Sequence, residues 1–243
     1  MIDQLTLGPS GERLALHDVI GGNLERLDDL VDVFVELFPQ YAHTSERLRW
    51  KALRSAFADP HFINHQWLVE VDGRAAGLLS FKYAPQRGLG LTVYVGVRPA
   101  YRHLRVEGKR VSEWLIGCGL DQLQIDAQAT GSELPVGLFL EVQYPRLVAR
   151  YREFGFVELP VVYHEPHFRQ ARTQDNVAES LAQADFRRAY LGGFPIHPER
   201  FDPSDAVMLE TVVRAFMLDH YHLPMDHWAV AQALRSIGSP MVP

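Results

Sequence analysis

A run of basic residues near the middle of the sequence has the composition of an anion-binding turn. Four cationic side chains fall between residues 102 and 110: Arg102, Arg105, Lys109 and Arg110. The run lies between an apolar segment and an amphipathic one, which is the order of a strand, a turn and a helix. Free backbone N–H groups at a helix N-terminus attract a phosphate, and basic side chains add charge. The pattern therefore predicts a site for a phosphate-bearing ligand.

The segments on either side must position this turn. Residues 89–97 are apolar and rich in β-branched side chains, which predicts a buried strand, and Arg98-Pro99 ends it because proline cannot donate to a ladder. After the turn, a helix is predicted by an apolar face at helical spacing, made of Val111, Trp114, Leu115 and Cys118. A second apolar strand at 136–142 leads into a further helix at 146–156.

Two stretches resemble the GNAT superfamily of acyl-CoA-dependent N-acyltransferases. Val95-Gly-Val-Arg-Pro-Ala-Tyr-Arg102 is similar to the end of the family's fourth strand and the approach to its pyrophosphate loop. Ala149-Arg-Tyr-Arg-Glu-Phe-Gly-Phe156 is similar to the A-x-x-Y-x-x-x-G-F segment, with the tyrosine and the Gly-Phe pair at the expected separation and the alanine closer to the tyrosine. The resemblance covers residues 10–165 and implies an α/β fold, with a mixed, mostly antiparallel sheet flanked by helices.

The resemblance also implies that acetyl-CoA, the acyl donor, binds at the basic turn. The family's loop usually reads Arg/Gln-x-x-Gly-x-Gly/Ala; the best match, Arg105-Val-Glu-Gly-Lys-Arg110, keeps the first glycine and ends on arginine. The implied contacts come from the backbone of the strand at 89–97 for pantetheine and from the turn for the pyrophosphate: Val95, Val97, Arg105, Val106, Gly108, Lys109 and Arg110. The changed loop leaves open a second hypothesis, a protein of this fold that binds a ligand or partner without catalysis.

The family's reaction needs a deprotonated amine and an acid for the departing thiolate. Tyr151 matches the tyrosine that often supplies this acid. The fourth strand holds no carboxylate, so the best-placed base is Glu141, near the end of the next strand, with Glu70 on an earlier strand behind it. A base acting through water, or no base at all, stays open.

Histidine groups raise a competing hypothesis of a metal site. They are His61 with His65, His164 with His167, and His220 with His222 and His227. No recognised zinc spacing is present and no cysteines accompany them, so we expect no metal. Residues 219–227 are instead a candidate lining for the acceptor pocket. Cys118 lies on an apolar face and is expected to be a buried, inert thiol.

Composition excludes several classes of function. The net charge of −6 argues against a general nucleic-acid binder, whose footprint is basic. A single cysteine excludes an internal disulfide and favours a reducing compartment. The N-terminus lacks a signal-peptide pattern, and no apolar run approaches the roughly 18 residues that span a bilayer. We therefore expect a cytoplasmic protein with no nucleic-acid or membrane partner.

Hydrophobic periodicity predicts the remaining elements. Before the turn these are a strand at 13–19, a helix at 24–38 capped by Asn23, a helix from Ser45 that turns Leu53 and Phe57 inward, and a hairpin at 66–83 around Asp72-Gly73. After Phe156 they are a strand at 157–163, a loop at 164–167, an ambiguous segment at 186–194 that ends in the break Gly192-Gly193, and helices from Ser204 and at 228–237. We divide the chain into a GNAT-like domain, 1–168, and a helical C-terminal extension, 169–243, packed on it.

The sequence thus predicts an acetyl-CoA-dependent N-acetyltransferase that acts on a small-molecule or peptide amine. An acyl carrier protein or an aminoacyl-tRNA is an alternative donor, and the net acidity disfavours the tRNA. A homodimer is compatible with the sequence.

Overall fold

The computed structural model describes residues 5–7, 11–21, 24–168 and 176–238. The predicted cap at Asn23 and the tail that contains Pro240 and Pro243 lie outside these ranges. The chain forms two compact units, Met1–Lys82 with Thr92–Gln122 and Tyr83–Leu91 with Leu123–Pro243. No helix in the described ranges combines the length and the apolar character needed to cross a bilayer.

The first unit contains the N-terminal strands and two helices, together with residues 92–122. Its N-terminal elements are β1 (Leu5–Leu7), β2 (Glu12–Asp18), α1 (Leu27–Leu37), α2 (Ser45–Ala52), β3 (Ile63–Val71) and most of β4 (Arg74–Ala84). The β3–β4 hairpin turns at Asp72 and Gly73, both with positive φ, as a two-residue type I′ turn requires. The apolar stripe of α1 packs on the sheet through a core that includes Leu30, Phe34, Leu48, Leu68 and Leu78.

The second predicted helix is shorter than expected. It ends at Ala52, and Leu53 and Phe57 are 68% and 63% exposed, so the prediction that they face inward is wrong. The Leu53 N–H still donates to the Arg49 carbonyl as in an α-helix, but the Arg54 N–H donates to the Lys51 carbonyl, three residues back, which tightens the last turn and ends the helical register. The residues that follow no longer share the face of Leu48.

The basic turn lies between two long elements. β5 (Leu89–Val97) precedes it and α3 (Val111–Thr130) follows directly after it. The turn itself contains a 3-10 turn at Pro99–Tyr101 and two short strands, β6 (Arg105–Val106) and β7 (Lys109–Arg110), which form their own two-stranded sheet.

The second unit contains the rest of the sheet and the C-terminal helices. Its elements are β8 (Gly137–Val142), α4 (Pro145–Arg152), β9 (Val157–Glu158), β10 (Tyr163–His167), α5 (Val177–Ala182), β11 (Asp185–Pro195), α6 (Ala206–Arg214), a π-helix (Ala215–His220) and α7 (Trp228–Ser236). Asp205 caps α6 by accepting a hydrogen bond from the Val207 N–H at 2.9 Å.

The main sheet is mixed and mostly antiparallel, as predicted. Its order is β1-β2-β3-β4-β5-β8-β11-β10, with β9 also paired to β11. The β5–β8 pair is parallel, and it is joined at Gly90–Leu138 and Leu91–Phe139. The β1–β2, β2–β3, β8–β11, β9–β11 and β10–β11 pairs are antiparallel.

Two predictions after Phe156 are wrong. The expected strand at 157–163 is divided between β9 and the start of β10, and the expected loop at 164–167 is the body of β10. The hydrogen bond from the Val161 N–H to the Leu159 carbonyl bends the chain between the two strands.

The predicted break at Gly192-Gly193 is also wrong, because both glycines lie inside β11. β11 pairs with β8 from Tyr190 to Pro195, so residues beyond the predicted boundary at 168 add a strand to the main sheet. The boundary itself stays a prediction.

Candidate active site

The basic turn folds as a small hairpin. Arg105 pairs with Arg110 and Val106 with Lys109, and Glu107 and Gly108 between them have φ values of 51° and 81°. Two consecutive positive φ values are the signature of a type I′ turn. Val106 is fully buried and fastens the hairpin to the first unit, whereas Glu107, Gly108 and Lys109 are exposed. The tip of the hairpin therefore presents backbone and charge to solvent.

Two exposed arginines of this turn also donate hydrogen bonds to backbone carbonyls. The Arg102 Nε donates to the Val97 carbonyl at 2.8 Å. The Arg105 Nη1 donates to the carbonyls of His103 and Leu104, each at 3.2 Å. Arg102 thus occupies the Val97 carbonyl, one of the groups expected to hold pantetheine.

Beyond its parallel pairs with β8, β5 continues from Leu91 to Val97. Val95 is half-buried and Val97 is buried. The expected pantetheine contacts lie on this part of the strand.

In the second unit, Glu141 lies near the end of β8 and accepts hydrogen bonds from two tyrosine hydroxyls. The Tyr163 hydroxyl donates to its Oε1 at 2.5 Å and the Tyr221 hydroxyl to its Oε2 at 2.6 Å. Burial, together with the Glu141 charge, raises the pKa of Tyr163 and of Tyr221 well above the usual value. Both tyrosines therefore remain protonated donors at any ordinary pH, and each carboxylate oxygen has its own donor.

A second carboxylate lies close to this group. Glu165 lies two residues after Tyr163 on β10, and its charge contributes to the raised pKa of both tyrosines. The Gln143 amide donates to Glu165 Oε2 at 3.0 Å, and His167 Nε2 lies 3.5 Å from the same oxygen. Gln143 and His167 thus lie against the second carboxylate.

Tyr221 reaches Glu141 because the helix before it changes its hydrogen bonding. After α6, the chain continues as a π-helix from Ala215 to His220, and the Tyr221 N–H donates to the Phe216 carbonyl at 2.9 Å. A π-helical turn shifts the residues after it relative to an α-helix and is frequent at functional sites. Sequence reasoning identified residues 219–227 as a candidate pocket lining, but not Tyr221 itself.

Tyr151, the predicted acid, lies on α4 among aromatic rings. Its ring contacts Phe154, Phe156 and Phe194 with centroids 5.5, 6.1 and 6.0 Å away. Burial raises its pKa, so the hydroxyl is neutral. Within the described residues its hydroxyl makes no hydrogen bond.

Glu70, the second candidate base, is engaged in the first unit. It is buried and pairs with Arg26 and with His17 Nε2, the latter at 2.9 Å. Its carboxylate is therefore engaged by two side chains of the first unit, and its role as a base stays a prediction.

The remaining candidates are also held by structural contacts. Burial raises the pKa of Cys118 to about 11, which supports an inert thiol, although the residue is only half-buried. His65 Nδ1 bonds Asp18 at 2.8 Å, and the His220 ring lies against Tyr221. Across the described ranges, no group of three or more His, Cys, Asp or Glu is arranged to hold a metal ion.

A scan of the sequence against protein-family models found no match, and neither did a search of the curated proteins. Solved structures do resemble the chain. A protein described as a GNAT-family acetyltransferase from Bacteroides thetaiotaomicron aligns with a TM-score of 0.52 and 14% identity, over 85% of this chain and 98% of its own. The chain has the GNAT fold.

Two further GNAT-fold structures align less closely. An acetyltransferase of the GNAT family from Streptococcus pneumoniae has a TM-score of 0.47 and 18% identity, over 76% of this chain and 99% of its own. The catalytic domain of Tetrahymena GCN5 histone acetyltransferase, solved with coenzyme A, has a TM-score of 0.42 and 14% identity, over 80% of this chain and 98% of its own. The fold assignment rests on the Bacteroides protein, because the other two TM-scores lie below 0.5.

Proposed function

We propose that this GNAT-fold protein is an N-acetyltransferase that transfers an acetyl group from acetyl-CoA to an amine, with Glu141 as general base. The main support is the Glu141 carboxylate, held by two tyrosine hydroxyls in a chain of this fold. An amine attacks as a neutral nucleophile, so the ammonium must lose a proton, and an oriented carboxylate can accept it. When bound, acetyl-CoA supplies the thioester carbonyl that the amine attacks.

The hairpin at 105–110 is the proposed site for the CoA pyrophosphate. Its residues suit a diphosphate: a Cβ at Gly108 would meet no heavy atom of the described residues within 4 Å, so an anion can approach the backbone closely. Lys109 is exposed beside it and adds a positive charge. Arg105 and Arg110 add further charge, Val106 anchors the hairpin, and the β5 backbone at Val95 and Val97 is the proposed contact for pantetheine.

Tyr151 is the proposed acid for the departing thiolate. Its raised pKa keeps the proton on the hydroxyl, which is the form an acid needs. The same shift makes the hydroxyl a weaker acid, so it can protonate the thiolate only within hydrogen-bond reach of the sulfur.

The first test is isothermal titration with acetyl-CoA and with desulfo-CoA, followed by release of free thiol in the presence of a panel of amines. We expect micromolar binding of both ligands and amine-dependent thiol release. Glu141→Gln should retain acetyl-CoA binding and lose about a hundredfold in kcat, the usual contribution of general-base catalysis. Glu133→Gln, on an exposed carboxylate, is the matched control.

Two results would contradict the proposal in different ways. No binding of any CoA thioester removes the donor and with it the acetyltransferase. Tight acetyl-CoA binding with no thiol release for any amine supports the non-catalytic binding protein instead.

A further inference from the structure

We propose that Tyr163 and Tyr221 are positioning residues that fix the orientation of the Glu141 carboxylate, so that the segment after residue 204 is part of the catalytic machinery. This inference rests on the proposed function, because it assigns partners to the proposed base. It goes further by requiring a C-terminal side chain, Tyr221, for normal turnover.

Each tyrosine hydroxyl donates to a different oxygen of the Glu141 carboxylate. Tyr163 donates to Oε1 and Tyr221 to Oε2, so the two contacts together oppose rotation of the carboxylate. The last torsion of a glutamate is otherwise broad. The two hydrogen bonds therefore orient the carboxylate.

The backbone on both sides of Tyr221 departs from regular helical geometry. The π-helix at Ala215–His220 precedes it, and His222 directly after it has a φ of 59°. A non-glycine residue in the left-handed region is uncommon, and such backbone features cluster at functional sites. The Leu223 N–H then donates to the Met217 carbonyl at 2.9 Å, which closes the turn. Two backbone irregularities thus flank the residue that contacts Glu141.

A side-chain clasp holds the π-helix in place. The Arg87 guanidinium donates to Asp219 from Nε at 2.8 Å and from Nη2 at 3.2 Å. Arg87 belongs to the turn between β4 and β5, so the clasp ties the π-helix to the sheet of the second unit. Bidentate arginine–carboxylate pairs are directional as well as strong.

The group has other charged and titratable neighbours. Glu165 and His167 lie on β10, the Asp219–Arg87 pair is two residues before Tyr221, and the His220 ring lies 4.5 Å from the Tyr221 ring. A tyrosine-to-phenylalanine change removes one hydroxyl and leaves all of these charges in place. A change in pH dependence then reports the lost hydrogen bond.

The decisive experiment compares Tyr221→Phe with Tyr190→Phe. Tyr190 is half-buried on β11, and its neighbour Leu191 pairs with Glu141, so alternation directs Tyr190 to the opposite face of the sheet. We expect Tyr221→Phe to lower kcat about tenfold with little change in acetyl-CoA affinity, since small misplacements of a catalytic group are costly. The variant loses one hydrogen bond that stabilises the ionised carboxylate, which raises the pKa of the base. The acidic limb of the kcat–pH profile should therefore move to higher pH.

Tyr163→Phe is the second variant, in case the first does not fold, and it should move the acidic limb in the same direction. Tyr190→Phe should leave both kcat and the profile unchanged. A folded Tyr221→Phe enzyme with wild-type kcat and an unmoved profile would show that the hydroxyl is only a structural contact and would overturn the proposal.

An arm that needs no activity separates this inference from the proposed function. Spectrophotometric titration of the native protein should show several tyrosines that resist ionisation until the protein unfolds, Tyr163 and Tyr221 among them, and Glu141→Gln should lower the pH at which two of them ionise. If the tyrosines respond to Glu141 but no thiol is ever released, the hydrogen bonds stand and the proposed function fails. If Glu141→Gln leaves the titration unchanged, the positioning proposal itself fails.

Discussion

Gly192 lies so close to the ring of Phe156 that a Cβ at this glycine would overlap Cζ of the ring. The same Cβ would lie 2.5 Å from the Val157 carbonyl oxygen, which is backbone and cannot rotate away. Glycine at this position is therefore what lets β9 and the chain after α4 pack onto β11. The contact is one of close approach, since Gly192 is not among the glycines with positive φ.

Replacing this glycine tests the close approach. We expect Gly192→Ala to lower the free energy of unfolding by about 3 kcal/mol, the upper end of the usual cost of overpacking. Gly117→Ala is the matched control: it lies inside α3, where an added Cβ meets no described heavy atom within 4 Å, and it should raise stability by about 0.5–1 kcal/mol. Urea unfolding of both variants checks this. Equal effects of the two changes would contradict it.

Lys51 should make the free energy of unfolding depend on pH between about 7 and 10.5. Burial, with a smaller effect from the Arg47 charge, lowers its pKa from 10.5 to about 7, and its Nζ donates to Asn64 Oδ1 at 3.2 Å. The unfolded chain therefore binds more protons than the folded one between pH 7 and 10.5, so stability should rise with pH across that window. Lys51→Met removes the proton difference.

We expect Lys51→Met to raise the free energy of unfolding at pH 7 by about 1 kcal/mol, a value discounted because the residue is only half-buried. The gain should vanish near pH 10.5. Denaturant unfolding at pH 7 and pH 10 measures both, with Lys109→Met on an exposed lysine as control. A loss of stability at pH 7 would show that the ammonium is well solvated or paired.

Gln66 is a buried amide in the first unit. It is 1% exposed, and neither amide atom has a hydrogen-bond partner among the described residues. By strand alternation it lies on the same face of β3 as Leu68, which belongs to the core beneath α1. We expect Gln66→Leu to raise the free energy of unfolding by about 1 kcal/mol, because an unsatisfied polar group is replaced by an apolar one.

Thermal and urea unfolding measure the effect, and Gln128→Leu on an exposed position of α3 is the control. A clear loss of stability in Gln66→Leu would contradict the expectation and would show that a water molecule or another polar group satisfies the amide.

Lys109 should contribute to binding of the donor. We expect Lys109→Ala to weaken acetyl-CoA binding about tenfold, the loss of roughly 1.4 kcal/mol, with a smaller effect at high salt because an exposed charge is screened. Titration calorimetry at low and high salt checks this. Arg13→Ala, on β2, removes an equal charge elsewhere in the first unit and should leave affinity unchanged. Equal weakening by both variants would indicate a general charge effect and no site at the hairpin.

Local pattern was enough to predict most of the first unit. The Asp72-Gly73 turn between alternating apolar segments specified the β3–β4 hairpin, and the stripe that includes Leu30 and Phe34 specified α1. The same signals failed where packing overrides propensity. Gly192 and Gly193 are typical of a break, yet they lie inside a strand because a neighbouring ring needs the space that a side chain would occupy.

The sequence by itself determined the order of the central elements from β5 to α4, since helical and strand periods are properties of neighbouring residues. It also identified Glu141 as a candidate base. Tertiary structure alone decided what surrounds that carboxylate. Tyr163 and Tyr221 lie 22 and 80 residues from Glu141, and a hydrogen bond over such separations leaves no periodic signal in the chain. A π-helical turn precedes Tyr221 and a left-handed residue follows it, and no periodic pattern in the sequence indicated either one.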